Sequence, residues 1–339
     1  MPLGKIARRA VLVTSLVLSV SAPLHAAVSV DVALGDVSIN KVPFLIAADA
    51  GIYSRNGLEV HQFITPGAAE AAKKSGVMVP PEYVKADAKA PVSIGGGSPM
   101  MMGATRKPGP VPRVIVSTTE DIARDHVIAL PTVKSFADLK GKRIGYSGNG
   151  TVTHFDALSF VKKMGWDPQK DVTLVGDSAT LEALKQGKVD AIMGSAMIVA
   201  MAEQNHFKDL GDLSAFNIPM PGSSIIVDKA WLGDHRDAVA RFVKSAVQAV
   251  ALMKTDKKVF DAALAKWFNI KDKQTQDSMF AAVSHFPEKP YPAVAGIKGF
   301  LELYDGPVVR SHKAEEFYDS SFVAELDRSG VLAHPLDRK

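Results

Sequence analysis

Val92-Ser93-Ile94-Gly95-Gly96-Gly97-Ser98-Pro99-Met100 and, further along, Val189-Asp190-Ala191-Ile192-Met193-Gly194-Ser195-Ala196-Met197 are two versions of one phrase. Each is a short apolar run of buried-strand character that breaks at glycine and opens a helix. Reading outward from each version gives the same order of elements. Ahead of the first, residues 30–39 read as a strand and 44–53 as a helix ended by Asn56-Gly57. Residues 58–65 then alternate as a strand, and 68–74 read as a helix. Ahead of the second, 143–146 read as a strand and Ser147-Gly148-Asn149-Gly150 as a loop. A helix follows with apolar Leu158, Val161 and Met164, then a strand at 172–175 and a helix at 181–186 closed by Gly187. Strands alternating with helices predict an α/β fold. The repeated order predicts two similar lobes, each a mostly parallel sheet flanked by helices.

The rest of the chain fits around these units. Residues 77–90, with Pro80-Pro81, read as a surface excursion, 113–117 as a strand and 225–227 as a strand leading back. Ser135-Phe136-Ala137-Asp138 has the spacing of a capping box. Residues 236–254 carry Val239, Phe242, Val243, Ala246, Val247 and Val250 at helical spacing. The tail, 255–328, reads as mostly helical with turns at Pro287, Pro290, Pro292 and Gly296.

Residues 1–27 have the three parts of a secretory signal: basic Lys5, Arg8 and Arg9, an apolar run over 10–22, and small residues for cleavage at Ala26 or Ala27. Arg8-Arg9 leaves both the general and the twin-arginine export routes open. Without those three cations the chain holds 37 basic and 36 acidic residues, so the formal +4 of the whole falls to +1. A nearly neutral chain lacks the electrostatic footprint of a nucleic-acid binder. With no cysteine among 339 residues, disulfides, thiolate metal sites and cysteine nucleophiles are excluded. The sequence has no H-x-x-x-H zinc spacing and no G-x-S-x-G elbow. His206, His235, His285 and His334 are scattered, so neither a metal nor a cofactor is expected.

In open parallel sheets, ligands sit beyond the carboxyl ends of the strands. Four strand ends here run straight into helix starts, where N–H groups are free and the helix dipole is positive. The first is Asn40 with Pro43 and Phe44. The second is Gly97 with Ser98 and Pro99. The third is Ser147, Asn149, Gly150 and Thr151, with Thr153 and His154 a turn further on. The fourth is Ser195 with Ala196. Glycine admits close backbone approach and the hydroxyls add donors. Two lobes facing each other this way make a cleft for a small anionic or polar molecule. The same Ser and Thr residues also serve as helix caps, and one residue can do both. Lys41 beside the first start reads as solvated, Phe44 as core, and Met100-Met101-Met102 as packing. Glu120-Asp121 and Arg124-Asp125, where the chain crosses between lobes, read as solvated.

These residues also carry a family resemblance. Asn40-Lys41-Val42-Pro43-Phe44-Leu45-Ile46-Ala47, followed by Gly51-Ile52-Tyr53, Asn56-Gly57-Leu58 and Val60, is similar to the opening of periplasmic substrate-binding proteins for nitrate, sulfonates, taurine and thiamine-precursor pyrimidines. Residues 138–145, 184–191 and 317–322 resemble later phrases of that family. The resemblance implies a two-lobed (type II) periplasmic binding protein without catalysis or cofactor. Such a protein, a monomer, closes on its ligand at a hinge and delivers it to the membrane permease of an ABC transporter. The resemblance also implies that residues 28–124 and 223–339 form lobe one and that 125–222 form an inserted lobe two. The excursion at Pro80-Pro81 and the absence of a G-x-x-D phrase before Gly95 depart from the family and leave the ligand class open. An exported α/β enzyme acting on a small acid, and a sensory binding protein for a membrane receptor, are the alternatives.

Overall fold

The computed structural model describes residues 27–74, 76–86 and 89–337. The export signal expected over residues 1–27 therefore lies, apart from Ala27, outside the described residues. No described helix is long and apolar enough to cross a membrane.

Among the described residues, ten strands form two sheets. The first holds β1 (Val28–Leu34), β2 (Leu58–Ile64), β3 (Val92–Gly96), β4 (Arg113–Thr118) and β10 (Ser223–Asp228). The second holds β5 (His126–Ala129), β6 (Arg143–Gly145), β7 (Thr173–Val175), β8 (Ala191–Gly194) and β9 (Lys208–Asp212). Their orders are β2-β1-β3-β10-β4 and β7-β6-β8-β5-β9. The two orders superimpose strand for strand, with β1 matching β6 and β3 matching β8. This is the duplication that the two glycine phrases announce.

Within each sheet four of the five strands point one way, and the fifth, β10 or β5, is reversed. The reversed strand is the one that follows a crossing. The chain leaves the first sheet after β4 and enters the second as β5. It leaves the second after β9 and returns as β10. The two crossing segments run antiparallel and hydrogen-bond along their length. Thr119 donates its N–H to the Ser223 carbonyl at 2.8 Å, Met220 to Asp121 at 2.9 Å, Ala123 to Ile218 at 2.9 Å and Leu213 to Asp125 at 3.0 Å. The result is a two-stranded ribbon between the sheets.

Most element boundaries fall close to their expected places, and the differences have local causes. The first strand ends at Leu34, and Ile39–Lys41 form a 3-10 turn ahead of the helix Val42–Asp49. The helix expected over 44–53 is two pieces, because Gly51 takes φ 66° and breaks it. β5 and β9 were not expected. β5 is four residues with its last three buried, too short to show a period, and β9 is Lys-Asp-Leu-Gly-Asp, with no apolar alternation.

Two large apolar clusters hold the layers together. In one, Val239, Phe242, Val243 and Ala246 of the long helix Arg236–Thr255 pack on Phe44 and Leu45 of the helix Val42–Asp49. Phe44 and Tyr53 stack on Phe242 with ring centres 5.9 and 5.3 Å away. In the other, Ile297 and Phe300 of the helix Val294–Leu303 join Phe155 and Phe160 of the helix Val152–Lys163 beneath β6 and β8. That C-terminal helix also presses on the ribbon. A Cβ on Gly296 would lie 2.1 Å from the Met220 carbonyl carbon, whereas one on Gly299 would meet only a Phe155 ring carbon at 4.0 Å. Gly296→Ala should therefore destabilise the protein by about 2 kcal/mol or more, because backbone has to move. Gly299→Ala in the same helix should be neutral or stabilise by up to about 1 kcal/mol. Urea denaturation of both variants checks this, and equal effects would remove the helix–ribbon contact from the account.

Candidate functional site

The carboxyl ends of the parallel strands converge on a cleft of about 840 Å³. Gly35 and Asp36 after β1, Gly95 and Gly96 of β3, Ser147 after β6, and Gly194 and Ser195 at the end of β8 all line it. One flank is closed where the start of the helix Val152–Lys163 meets the helix Gly97–Ala104. Gly150, at φ 77°, sits so close to Met102 that a Cβ there would fall 2.4 Å from the Met102 Cγ. The other flank is closed where the helix Lys273–Ala281 abuts the turn Ala196–Ile198 and the helix Val199–Gln204.

Seven of the fourteen expected site residues line the cleft: Asn40, Pro99, Ser147, Thr151, Thr153, Ser195 and Ala196. At the start of the helix Val152–Lys163 the hydroxyls form a small network. Thr151 accepts the His154 N–H at 3.3 Å as N-cap and donates to the Gly148 carbonyl at 2.7 Å. Its hydroxyl lies 3.0 Å from that of Thr153, which accepts the Ser147 N–H at 2.9 Å and donates to the Ser147 hydroxyl at 3.1 Å. Cap and cleft roles therefore coincide at Thr151. Ser195, which makes no side-chain cap bond, faces the cleft without a capping duty.

The other seven support the walls from behind. Pro43 and Phe44 are buried in the first core. Gly97 and Ser98 are buried, and their N–H groups go to the carbonyls of Gly222 and Pro221 at 2.8 and 3.0 Å. That helix start is consequently spent on the ribbon and not on the cleft. Asn149 accepts from the Tyr146 hydroxyl at 2.7 Å. His154 accepts the Gly150 N–H at Nδ1, 3.0 Å away, and stacks on Tyr146 with Tyr304 at its edge. Burial keeps the His154 pKa below its ordinary value, which suits the neutral, accepting ring.

The ribbon and the turn Ile39–Lys41 bring charge to the cleft that local sequence did not reveal. Lys41, expected in solvent, is fully buried. Its Nζ lies 2.5 Å from the Asp36 carboxylate and donates to the Ser223 hydroxyl at 3.0 Å, as a buried ammonium must. Glu120, Arg124 and Asp125, also expected in solvent, line the cleft as well. The crossing strands run between the two sheets, where the charged run is half-buried. Burial, and then the Asp125 charge, push the Glu120 carboxyl up to about 7 against the pull of Lys41 and a hydrogen bond to Asn40. Burial pushes Asp125 up to about 6, opposed first by the nearby His126. Asp156, fully buried, is held well above the carboxylate range by burial and by the charges of Asp125 and Glu120. Both of its carboxyl oxygens are buried without a hydrogen-bond partner. His126, also on the cleft, lies 2.8 Å from Asp209. Burial lowers its pKa, but the bond and charge of Asp209 outweigh this and the net shift is upward. Among the described residues no three His, Asp or Glu side chains gather as a metal site. The one hint in the sequence was the density of charge in 120–125 between two apolar strands.

Comparison with known proteins places this geometry. A family model described as NMT1/THI5 like matches residues 38–258. A putative ABC transporter periplasmic binding protein of Brachyspira hyodysenteriae is 25% identical over 202 residues, 59% of this chain and 56% of that protein, so the chain spans little more than half of that relative. Among solved structures, the nitrate-binding protein NrtA of Synechocystis PCC 6803 superposes with a TM-score of 0.67 at 11% identity, over 92% of each chain. The aliphatic sulphonate binding protein SsuA of Escherichia coli gives 0.60 at 16%, over 81% of this chain and 85% of that one. The Candida albicans CA3427 product, described as having the generic periplasmic binding protein fold, gives 0.61 at 13%, over 86% and 96%. The chain thus has the two-lobed periplasmic-binding-protein fold expected from its sequence.

The buried carboxyls set a pH dependence. Unfolded carboxyls titrate near about 4. In the folded protein Glu120, Asp125 and Asp156 hold their protons to higher pH. Between those limits the folded state binds more protons, so their contribution to stability is greatest at low pH and is lost as pH rises through about 7. Asp156→Asn should shrink the difference in melting temperature between pH 5 and pH 8. Comparing variant with parent cancels His154 and His285, which titrate in the opposite sense. An unchanged pH profile would refute the carboxyl cluster.

Proposed function

The chain belongs to the NMT1/THI5-like family, and from that premise we propose that it is a solute-binding protein exported to the periplasm. It captures a small polar or anionic organic molecule by hinge closure and passes it to the permease of an ABC importer. It acts as a monomer and does not transform its ligand. The observation that carries this reading is a cleft walled by the strand ends of two sheets of identical topology and floored by a hydrogen-bonded ribbon. A ribbon of two crossing strands can bend with little loss of packing, so the sheets can separate and close as rigid bodies. On this reading lobe one comprises 28–124 and 223–339 and lobe two comprises 125–222, with the ribbon as the hinge.

The ligand is held at the helix starts. The hydroxyls of Ser147, Thr151, Thr153 and Ser195 and the amide of Asn40 supply polar contacts beside Pro99 and Ala196. Pro43, Phe44, Gly97, Ser98, Asn149, Gly150 and His154 keep those starts in place. Ser195→Ala should lower ligand affinity about tenfold, the worth of one hydrogen bond in a closed site, and leave the melting temperature of the ligand-free protein unchanged. Thr151→Ala should weaken binding similarly and also cost about 1 kcal/mol of stability for the lost cap. Titration calorimetry with the compound that co-purifies, identified by mass spectrometry, measures both. Unchanged affinity in both variants would overturn the site, and turnover of that compound would overturn the binding-only role.

A further inference from the structure

The cleft has two chemically different ends. One wall is apolar: Ala68 and Ala72 from the helix Pro66–Lys74, Met279, Phe286, Met197 and Ile198. At the ribbon the wall is made of hydrogen-bond acceptors, namely Glu120, Asp125 and Asp36. Lys41 is already spent, on Asp36 and Ser223. Arg113, which also reaches the cleft, gives its Nη2 hydrogens to the carbonyls of Pro91 and Ile226 at 3.1 and 3.3 Å and keeps one buried unpartnered donor, Nε. Asp125 Oδ2 and, behind it, both carboxyl oxygens of Asp156 are buried without a hydrogen-bond partner. Asp36 Oδ1 and the Oγ of Ser38, also on the cleft, are buried without any hydrogen-bond partner as well. Buried acceptors without donors are costly, and a ligand that brings donors relieves them. Arg124, beside His285, and His126, next to Asp125, are the counter-charges, and Arg124 can take an acceptor atom elsewhere on the ligand.

Size points the same way as charge. A water molecule has about 30 Å³ of liquid volume, so an oxyanion of a few atoms would leave most of an 840 Å³ cleft empty. The apolar wall would then be in contact with water, and a second negative charge would sit against Glu120 and Asp125.

Building on the solute-binding reading, we infer that the ligand is an organic amine or amidine, with an apolar body on the Ala68–Phe286 wall and a protonated N–H-bearing head between Glu120 and Asp125. Its contacts are those of a charge-assisted hydrogen bond at one end and area burial at the other.

The test uses protein expressed from the full sequence and stripped of bound compound. The cationic probes are 2-phenylethylamine and benzamidine. The matched anions are 3-phenylpropionate and benzenesulfonate, with nitrate as the small ion, each at about 1 mM in a thermal-shift assay. The two cations should raise the melting temperature and the three anions should not. At pH 7 Glu120 and Asp125 share protons that a bound cation displaces, so the binding heat of benzamidine should differ between phosphate and Tris buffers by the ionisation heat of the released proton. Glu120→Gln and, as a second variant, Asp125→Asn should each weaken benzamidine binding about tenfold or more, with folding checked by circular dichroism. Response to either aromatic anion but to neither cation would overturn the amine head. Response to nitrate alone would overturn head and body together. Silence from every probe, with no compound co-purifying, would instead count against the solute-binding reading on which the inference rests.

Discussion

The antiparallel ribbon between residues 119–125 and 213–223 is the constraint on which the rest depends. Each sheet is four parallel strands plus one reversed strand, and both reversed strands are delivered by the ribbon. Were the crossings not hydrogen-bonded to each other, β5 and β10 would enter their sheets independently. Instead Thr119 to Ser223 and Leu213 to Asp125 fix the register of one crossing against the other. The register of both sheets is thereby tied to one short ladder. The same ladder sets the floor of the cleft, so the strand ends that line it are positioned from a common reference.

A ribbon covered from two sides has an electrostatic consequence. The Glu120 and Asp125 carboxyls on it are withdrawn from water and hold protons to higher pH. Beside the ribbon, Lys41 of the turn Ile39–Lys41 pairs with Asp36, and burial holds Asp156 of the helix Val152–Lys163 well above the carboxylate range. A positive charge placed at the ribbon draws protons off these carboxyls and a negative one holds them on, so charge and protonation there are coupled in sign.

The fold was largely legible in the sequence because its signals are local. Alternation in residues 58–65, helical spacing in 236–254 and the glycine break after each apolar run survive any tertiary context. The paired phrases ending in Met100 and Met197 sufficed to propose two like units. β5 and β9 were not legible, since a four-residue run has no period and Lys-Asp-Leu-Gly-Asp has no apolar face. Their strand character comes from the ribbon and from neighbours distant in sequence. The site divided in the same way. Ser147, Thr151, Thr153 and Ser195 were found because strand–glycine–hydroxyl–helix is a local motif. Lys41, Glu120 and Asp125 were read as solvated because a charged residue next to a turn is usually exposed, and nothing nearby says that a second lobe covers them.

The two halves of the cleft therefore differ in how they are specified. Helix starts are polar by construction: any strand that turns into a helix through Gly and Ser or Thr presents free N–H groups and a hydroxyl, whatever the ligand. Gly97 and Ser98 show that this is not sufficient, because their N–H groups are consumed by Pro221 and Gly222. A fold that duplicates the motif makes several such starts and can turn one of them to internal use. Discrimination must come from what the duplication does not repeat, and the ribbon is that part, since one sheet leads into it and the other out of it. The Glu120 and Asp125 carboxyls and the Arg124 guanidinium on it have no counterparts in the duplicated phrases. The repeated elements supply a general polar cleft, and the single ribbon supplies its charge pattern.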